Sequence, residues 1–210
     1  MEPVLEKIYE AILNGDSAAV DSNVRSALEN NMSPKDILDQ GMVSAMSEVG
    51  HRFEAGEFFI PEMLISARAM QAGMSILKPH LKTSNVSSAG KVAVGTVKGD
   101  LHDIGKNLVA MMMEGAGFEV QDLGTDVHPD KFIAVADEVD VIALSALLTT
   151  TMQSMQETIE ALKQSGKRAN VKVIIGGAPV TEDYAHKIGA DGYAPDASRA
   201  VAVTRMLLGK

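Results

Sequence analysis

The chain has 210 residues, which is enough for one large domain or two small ones with a buried core. Its net charge of −9 and its aromatic content of 4% argue against nucleic-acid binding, and the absence of cysteine excludes disulfides, thiolate metal sites and cysteine nucleophiles. No stretch approaches about 18 consecutive apolar residues and no signal-peptide pattern opens the chain, so we expect a cytoplasmic protein that does not span a membrane.

Residues 1–81 have the apolar periodicity of helices. A turn signal at 14–16 separates the first two helical stretches, and Ser33 followed by Pro34 predicts a capped start of another helix. Pro61 opens a further one. Four such stretches with short connections predict an antiparallel four-helix bundle, which forms a first domain. The apolar stripes include Leu5, Ile8, Ile12, Ile37, Leu38, Met42, Met46, Val49, Met63, Leu64, Met70 and Leu77.

Residues 82–90 are small and polar, and this composition predicts a linker. From residue 91 onward, short apolar runs alternate with amphipathic stretches. Such alternation predicts a second domain, 91–210, with a Rossmann-like (flavodoxin-like) five-stranded parallel sheet and helices on both faces, an α/β fold. The predicted strands are 91–97, 118–123, 140–145, 171–176 and 191–194, and the predicted helices are 105–116, 129–138, 151–165, 181–188 and 196–208.

Ligands of such sheets bind beyond the carboxyl ends of the strands, which directs attention to loops 98–105, 145–151 and 176–181. Two nucleotide motifs fail in the first of these loops. Gly95, Gly99 and Gly105 lack the spacing of a dinucleotide fingerprint. A phosphate loop needs four residues between its glycines and a Ser or Thr after its Lys, whereas five residues separate Gly99 from Gly105 and Asn107 follows Lys106.

The same loop contains the pattern Asp100-x-His102-x-x-Gly105. An Asp–His pair in a loop is commonly a surface hydrogen bond, but a metal-binding imidazole also passes its second ring proton to a carboxylate. No further His or Cys lies nearby to complete a zinc site. One imidazole suits a metal whose remaining positions are held by a macrocycle, and the two interpretations stay open on the spacing alone.

At this pattern the sequence resembles the cobalamin-binding Rossmann-type domains of methionine synthase and of the corrinoid proteins that serve methylamine, methanol and betaine methyltransferases. The segment DLHDIG matches their D-x-H-x-x-G signature. SALLT at 145–149 resembles the S-x-L pattern, Gly176-Gly177 resembles the glycine turn after the fourth strand, and 193–199 resembles the last strand-to-helix turn. The segment 50–63 resembles the helical cap above the cofactor. These matches cover nearly the whole chain.

The resemblance implies the site residues. His102 would ligate cobalt from below, supported by Asp100 and Thr151 as residues that act through the ligand. Cobalamin or a related corrinoid, including its nucleotide tail, would contact twelve residues of the second domain, namely Asp100, Leu101, His102, Asp103, Ile104, Gly105, Ser145, Leu147, Thr149, Gly176, Gly177 and Ala197. Phe53, Ile60 and Met63 would lie over the methyl position of the cobalt.

Thr151 departs from the pattern of methionine synthase, where a serine completes a relay from the His through the Asp. Threonine keeps the hydroxyl group of that serine, but its Cβ also carries a methyl group. One interpretation is proton relay through Thr151. The other is that Thr151 only caps the following helix, predicted to start at residue 152.

The resemblance implies a methyl carrier, a corrinoid subunit of a multicomponent system that is not catalytic alone. A substrate-specific methyltransferase would load it, a second would pass the methyl group to a tetrahydrofolate-type or thiol acceptor, and a reductive activator protein would restore oxidised cobalt. Two alternatives are a cobalamin-dependent regulator and a mutase-type binding module. The sequence shows no helix-turn-helix that a regulator would bring, and the methyl-shielding cap would be hard to explain in a mutase.

Overall fold

The computed structural model describes residues 2–83 and 88–209. The chain divides into two compact units, Met1–Ser88 with Glu114–Gly117, and Ala89–Met113 with Phe118–Lys210. Residues 84–87 of the predicted linker lie outside the described residues. No helix in the described part of the chain is long and apolar enough to cross a bilayer.

The first unit is helical, as predicted. Most residues of the apolar stripes are buried, although Leu64 is half-buried. Asp16 caps the second helix by accepting a hydrogen bond from the backbone N–H of Ala19 at 2.9 Å. Gly73 allows close packing, because a Cβ there would lie 2.8 Å from Val20 and 2.7 Å from Met42. Its elements are α1 (Pro3–Leu13), α2 (Ser17–Glu29), α3 (Pro34–Asp36), a π-helical segment (Ile37–Val43), α4 (Ser44–Glu54) and α5 (Ile60–Thr83).

Three local features of this unit differ from the sequence-based expectations. Ser33 precedes the helix that Pro34 opens, but its side chain makes no capping hydrogen bond. The stripe beginning at Ile37 was predicted as ordinary helix, whereas residues 37–43 are π-helical. The last helix continues to Thr83, so Lys82 and Thr83, the first two residues of the predicted linker, are helical.

The second unit is a five-stranded parallel sheet with the strand order β2-β1-β3-β4-β5. This order is that of flavodoxin-like sheets, and the fold prediction is confirmed. The strands are β1 (Lys91–Val97), β2 (Glu119–Val127), β3 (Val141–Ser145), β4 (Lys172–Gly176) and β5 (Gly192–Ala194). The helices are α6 (Ile104–Gly115), α7 (Pro129–Val135), α8 (Met152–Gln164), α9 (Glu182–Ile188) and α10 (Ala197–Leu207).

Helices cover both faces of the sheet. Alternate residues of the strands, such as Ala93 and Ile142, form one core with α7, α8 and α9, where Phe132 is fully buried. On the opposite face, Gly192 lets α10 approach closely, since a Cβ there would lie 2.6 Å from Val203 and 3.5 Å from Ile174. Burial on both faces explains why the central strands are nearly continuous apolar runs.

The edge strand β2 is longer than predicted. The sequence prediction ended it at residue 123, but it continues to Val127, with register shifts against β1 on both sides of Gly95. An edge strand with polar side chains has no apolar alternation to mark its end, which is why the sequence did not show this extension.

Candidate functional site

The carboxylate of Asp100 is the centre of a hydrogen-bonded cluster at the carboxyl end of β1. Asp100 is fully buried. Its Oδ2 accepts from the backbone N–H of Leu147 at 2.8 Å, from that of Leu148 at 3.3 Å, and from the hydroxyl of Thr151 at 2.7 Å. Its Oδ1 accepts from the backbone N–H of His102 at 3.0 Å. The loop after β1 is thereby joined to the loop between β3 and α8.

The imidazole of His102 contacts the same carboxylate. Nδ1 lies 2.7 Å from Oδ1 of Asp100, while about half of the imidazole side chain is exposed to solvent. A carboxylate only accepts hydrogen bonds, so this contact requires a proton on Nδ1. Nε2 is then the nitrogen whose lone pair is available to a metal. The buried hydroxyl of Thr96 donates to the carbonyl oxygen of His102 at 2.8 Å and fixes the backbone at this residue.

The surroundings of Asp100 keep it ionised. Burial by itself raises the pKa of its carboxyl group, but hydrogen bonds from the Thr151 hydroxyl, from the backbone N–H groups of His102 and Leu147, and from the His102 ring lower it further than burial raises it. The net pKa lies well below the usual range of an aspartate. At neutral pH the group is therefore a fixed negative charge beside the imidazole.

Thr151 does not cap α8. It stands at the residue before the helix, but its side chain makes no capping hydrogen bond. Its hydroxyl, which is buried, donates instead to Asp100 and also lies 2.9 Å from the carbonyl oxygen of Leu148. The capping interpretation is therefore wrong, and proton relay through Thr151 stays a prediction.

Several other predicted residues line the carboxyl edge of the sheet. Ser145 of β3 and Gly176 of β4 are register partners, and two residues that were not predicted, Thr96 of β1 and Ala194 of β5, extend the row on either side. Gly177, with φ +136°, lies so close to β3 that a Cβ would sit 1.9 Å from the carbonyl oxygen of Ala146. Backbone packing by itself requires glycine at this position. Ala197 is buried as the first residue of α10.

The rim around His102 is apolar and exposed. Leucine and isoleucine side chains are normally buried in proteins, but four of them at this rim are 42–75% exposed to solvent, namely Leu101, Ile104, Leu147 and Leu148. A Cβ at Gly105 would meet nothing within 4 Å, so open space continues beyond the loop. An exposed apolar patch around a polar centre is typical of a ligand-binding surface.

The structure also describes the surroundings of two further predicted contacts, Asp103 and Thr149. The carboxylate of Asp103 accepts from the side-chain amide of Asn107 at 3.2 Å, across the first turn of α6. Thr149 is exposed and lines a groove along α8 with Met152 and Tyr184, whose hydroxyl donates to the carbonyl oxygen of Met152 at 2.7 Å.

The three predicted cap residues belong to the helical unit. Phe53 is half-buried near the end of α4, Ile60 is exposed as the first residue of α5, and Met63 is fully buried one turn later. Their assignment to the methyl position stays a prediction of the resemblance.

The structure adds residues that the sequence reasoning missed. Thr96 and the backbone of Leu148 hold the cluster, and Asp126 of β2 contacts the loop backbone before His102. Lys106 is nearly fully buried, and its ammonium group donates to Asp122 and, at 2.7 Å, to Asn107. A polar residue inside the apolar run of β1 was a usable signal for Thr96. Nothing in the sequence pattern signalled the role of Asp126.

Two family models match the chain. Residues 90–202 match the B12 binding domain, and residues 4–78 match a second family with the same description. The chain belongs to the family of B12-binding corrinoid proteins. It is 44% identical over 213 residues to dimethylamine corrinoid protein 2 of Methanosarcina acetivorans, covering 100% of this chain and 98% of the relative. It is 41% identical to a corrinoid protein of Desulfitobacterium hafniense, covering 99% of this chain and 98% of that relative.

Solved structures agree with this family. A cobalamin-binding protein from Desulfitobacterium hafniense superposes with a TM-score of 0.80 at 35% identity, covering 96% of this chain and 97% of that one. A chain of a methanol:cobalamin methyltransferase complex from Methanosarcina barkeri superposes with a TM-score of 0.86 at 27% identity, covering 99% and 80%. The cofactor of the corrinoid protein is accordingly cobalamin or a related corrinoid, as the sequence predicted.

The residues present fit such a cofactor. The exposed apolar rim matches the face of a macrocycle, and the available ring nitrogen of His102 matches the requirement for one axial protein ligand. On the face that α10 covers, the hydroxyl oxygen of Thr204 is buried and has no hydrogen-bond partner among the described residues. An unpaired buried hydroxyl is unusual in a protein and is consistent with a polar ligand group beside it.

Proposed function

We propose that this corrinoid protein is a methyl carrier in which Nε2 of His102 would hold the cobalt of the bound corrinoid. The observation that carries the proposal is the 2.7 Å contact between Nδ1 of His102 and the buried carboxylate of Asp100. In this contact Nδ1 donates its proton in a hydrogen bond to the carboxylate, which leaves Nε2 available as a ligand, and the same arrangement orients imidazoles on metals. When bound, a corrinoid supplies a cobalt centre that accepts and releases a methyl group.

The protein residues hold and tune this ligand. Asp100 keeps the proton on Nδ1 and increases the basicity of the imidazole, and Thr151 with the backbone of Leu147 holds Asp100 in its ionised form. The exposed apolar side chains of Leu101 and Ile104 would lie against the bound corrinoid. Thr151 is also the residue through which a proton would reach Asp100 when the ligand is released.

The proposed path of the nucleotide tail passes Ser145, Thr149, Gly176 and Gly177 and the start of α10 at Ala197. The register of Ser145 with Gly176 supports this path, since both stand at the carboxyl edge of adjacent central strands. Leu101, Asp103, Ile104, Gly105 and Leu147 are proposed as contacts of the corrin ring.

The proposed partners are two methyltransferases and a reductive activator protein. The named relatives include dimethylamine corrinoid proteins, and one similar chain belongs to a methanol:cobalamin methyltransferase complex. We therefore propose that a methyltransferase specific for a methylamine or for methanol loads this protein, and that a second one passes the methyl group to a tetrahydrofolate-type or thiol acceptor. Purified methyltransferases tested with methanol and with mono-, di- and trimethylamine would identify the donor.

The direct test of the ligand is the visible spectrum after reconstitution with hydroxocobalamin. His102→Ala should retain much of the affinity, because corrin and tail contacts bury more surface than one bond, but the cobalt spectrum should change. His128→Ala is a matched control, because His128 also pairs with an aspartate two residues away, Asp130, at 3.1 Å. An unchanged spectrum in His102→Ala would overturn the ligand assignment.

A further inference from the structure

Asp126 has an unusual backbone conformation for its place in the fold. Its φ is +52°, in the left-handed region that L-residues other than glycine rarely adopt. Among the described non-glycine residues, the other one with a positive φ is Asn31, which lies in the turn after α2. Asp126 instead lies near the end of the edge strand β2, where an extended conformation is expected. Such a conformation persists where surrounding contacts hold it.

Two hydrogen bonds hold Asp126, and both go to the loop after β1. Its Oδ1 accepts from the backbone N–H of Gly99 at 2.7 Å, and its own N–H donates to the carbonyl oxygen of Asp100 at 2.9 Å. Gly99 itself has φ +83°. One residue of β2 thus binds two successive residues of the loop, 99 and 100, and the second of them is two positions before His102.

The loop is therefore anchored on both neighbours of β1. On the β3 side, the carboxylate of Asp100 accepts from Leu147 and Thr151. On the β2 side, Asp126 contacts the backbone of Gly99 and Asp100. With both anchors, the peptide groups around Asp100 have little freedom to rotate, and the direction of its carboxylate is set before any ligand binds.

We propose that Asp126 is a positioning residue for the cobalt ligand. It fixes the backbone of residues 99 and 100, and through the Asp100 carboxylate it fixes the ring of His102 in the orientation that presents Nε2. This inference rests on the proposed function, in which His102 is the ligand. The carboxylate acceptor of Asp126 and its left-handed backbone act together, because the side chain reaches Gly99 from that conformation.

Three substitutions separate the acceptor from the backbone conformation. Asp126→Asn keeps an acceptor oxygen, and Asn tolerates a positive φ. Asp126→Gly adopts the conformation without strain but has no acceptor. Asp126→Ala lacks both. Glu119→Gln is the control for charge, since Glu119 stands on the same strand and its partner is Lys91 at 3.9 Å, away from the loop.

The experiment is a titration of each variant with hydroxocobalamin followed by its visible spectrum, with hydrogen exchange of the Gly99 amide measured on the cofactor-free protein. Asp126→Asn and Glu119→Gln should give the wild-type spectrum and affinity. Asp126→Gly and Asp126→Ala should show faster exchange at Gly99 and a ratio of His-ligated to unligated cobalt that is about tenfold lower, at the low end for groups that orient a metal ligand. The overall affinity should change little, as in His102→Ala.

Several results would overturn the inference. One is a wild-type spectrum in Asp126→Gly, which would mean that the acceptor is not needed. Another is an equal loss in Glu119→Gln, which would show an effect of charge. If Asp126→Ala does not fold, the comparison of Gly with Asn still decides, because both tolerate the backbone conformation. If His102→Ala leaves the spectrum unchanged, the proposed function itself fails, and this outcome is distinguishable from a silent Asp126→Gly.

Discussion

Replacing Thr151 with Val tests how strongly the cluster around Asp100 depends on one hydroxyl group. In the structure this hydroxyl makes the shortest hydrogen bond to Oδ2 of Asp100, at 2.7 Å, compared with 2.8 Å for Leu147 and 3.3 Å for Leu148. Valine has nearly the same shape but no donor. The carboxylate is fully buried, so water does not replace the lost bond.

The expected loss follows from the charge of the acceptor. A hydrogen bond to an ionised group contributes about 1.5–3 kcal/mol to the free energy of unfolding, and we expect Thr151→Val to lose an amount in this range. Thr158→Val is the matched control, because Thr158 is also fully buried in α8 but donates at 2.7 Å to the neutral carbonyl oxygen of Ser154. Its expected loss is about 0.5–1.5 kcal/mol.

The loss of unfolding free energy should depend on pH in Thr151→Val but not in the control Thr158→Val. The folded-state pKa of Asp100 is lowered from 3.8, so its stabilisation is present above the unfolded-state pKa and disappears as the pH falls through the folded-state value. Removing the Thr151 hydroxyl reduces this lowering. The difference between wild type and variant should therefore be full above about pH 5 and should shrink in more acidic solution.

Native-state hydrogen exchange of slow amides in β1 and β3 measures the unfolding free energy of the sheet unit without requiring the two units to unfold together. The measurement is made on the cofactor-free protein between pH 7 and the acidic limit of the folded state. A loss equal to that of Thr158→Val, or one that is the same at every pH, would refute the assignment of this hydroxyl as a donor to an ionised Asp100.

Three further substitutions test other parts of the site. His102→Ala should alter the visible spectrum of bound hydroxocobalamin while most of the binding affinity remains. Asp100→Asn should weaken the His102 ligand by about 10–100-fold, measured as the fraction of His-ligated cobalt, and an unchanged fraction would contradict the role of the carboxylate. Gly177→Ala should lower the melting temperature strongly, because the new Cβ would lie 1.9 Å from the carbonyl oxygen of Ala146. Gly166→Ala, where a Cβ would meet nothing within 4 Å, should lower the free energy of unfolding by only about 1 kcal/mol. Equal shifts of the melting temperature in the two variants would contradict the packing argument.

The sequence by itself determined the fold class and the position of the loop that carries Asp100 and His102. Helical periodicity in the first 81 residues and continuous apolar strands afterwards are local patterns, so they can be read without knowing any distant contact. The spacing of Asp100, His102 and Gly105 is local as well. Because it follows a predicted buried strand, the carboxyl edge of a parallel sheet was the expected place for it.

The sequence did not determine how the loop is held. Asp100 meets Thr151 and Leu147 because β1 and β3 are adjacent in the sheet, and β1 meets Asp126 because β2 is its other neighbour. Strand order depends on how the connecting helices pack against the sheet, and no pattern within one element encodes it. For the same reason the sequence left two interpretations of Thr151 open, a partner of Asp100 in a proton relay and a cap of the following helix. In the folded protein its hydroxyl donates to the Asp100 carboxylate, 51 residues away, and the tertiary structure decided between contact with Asp100 and capping.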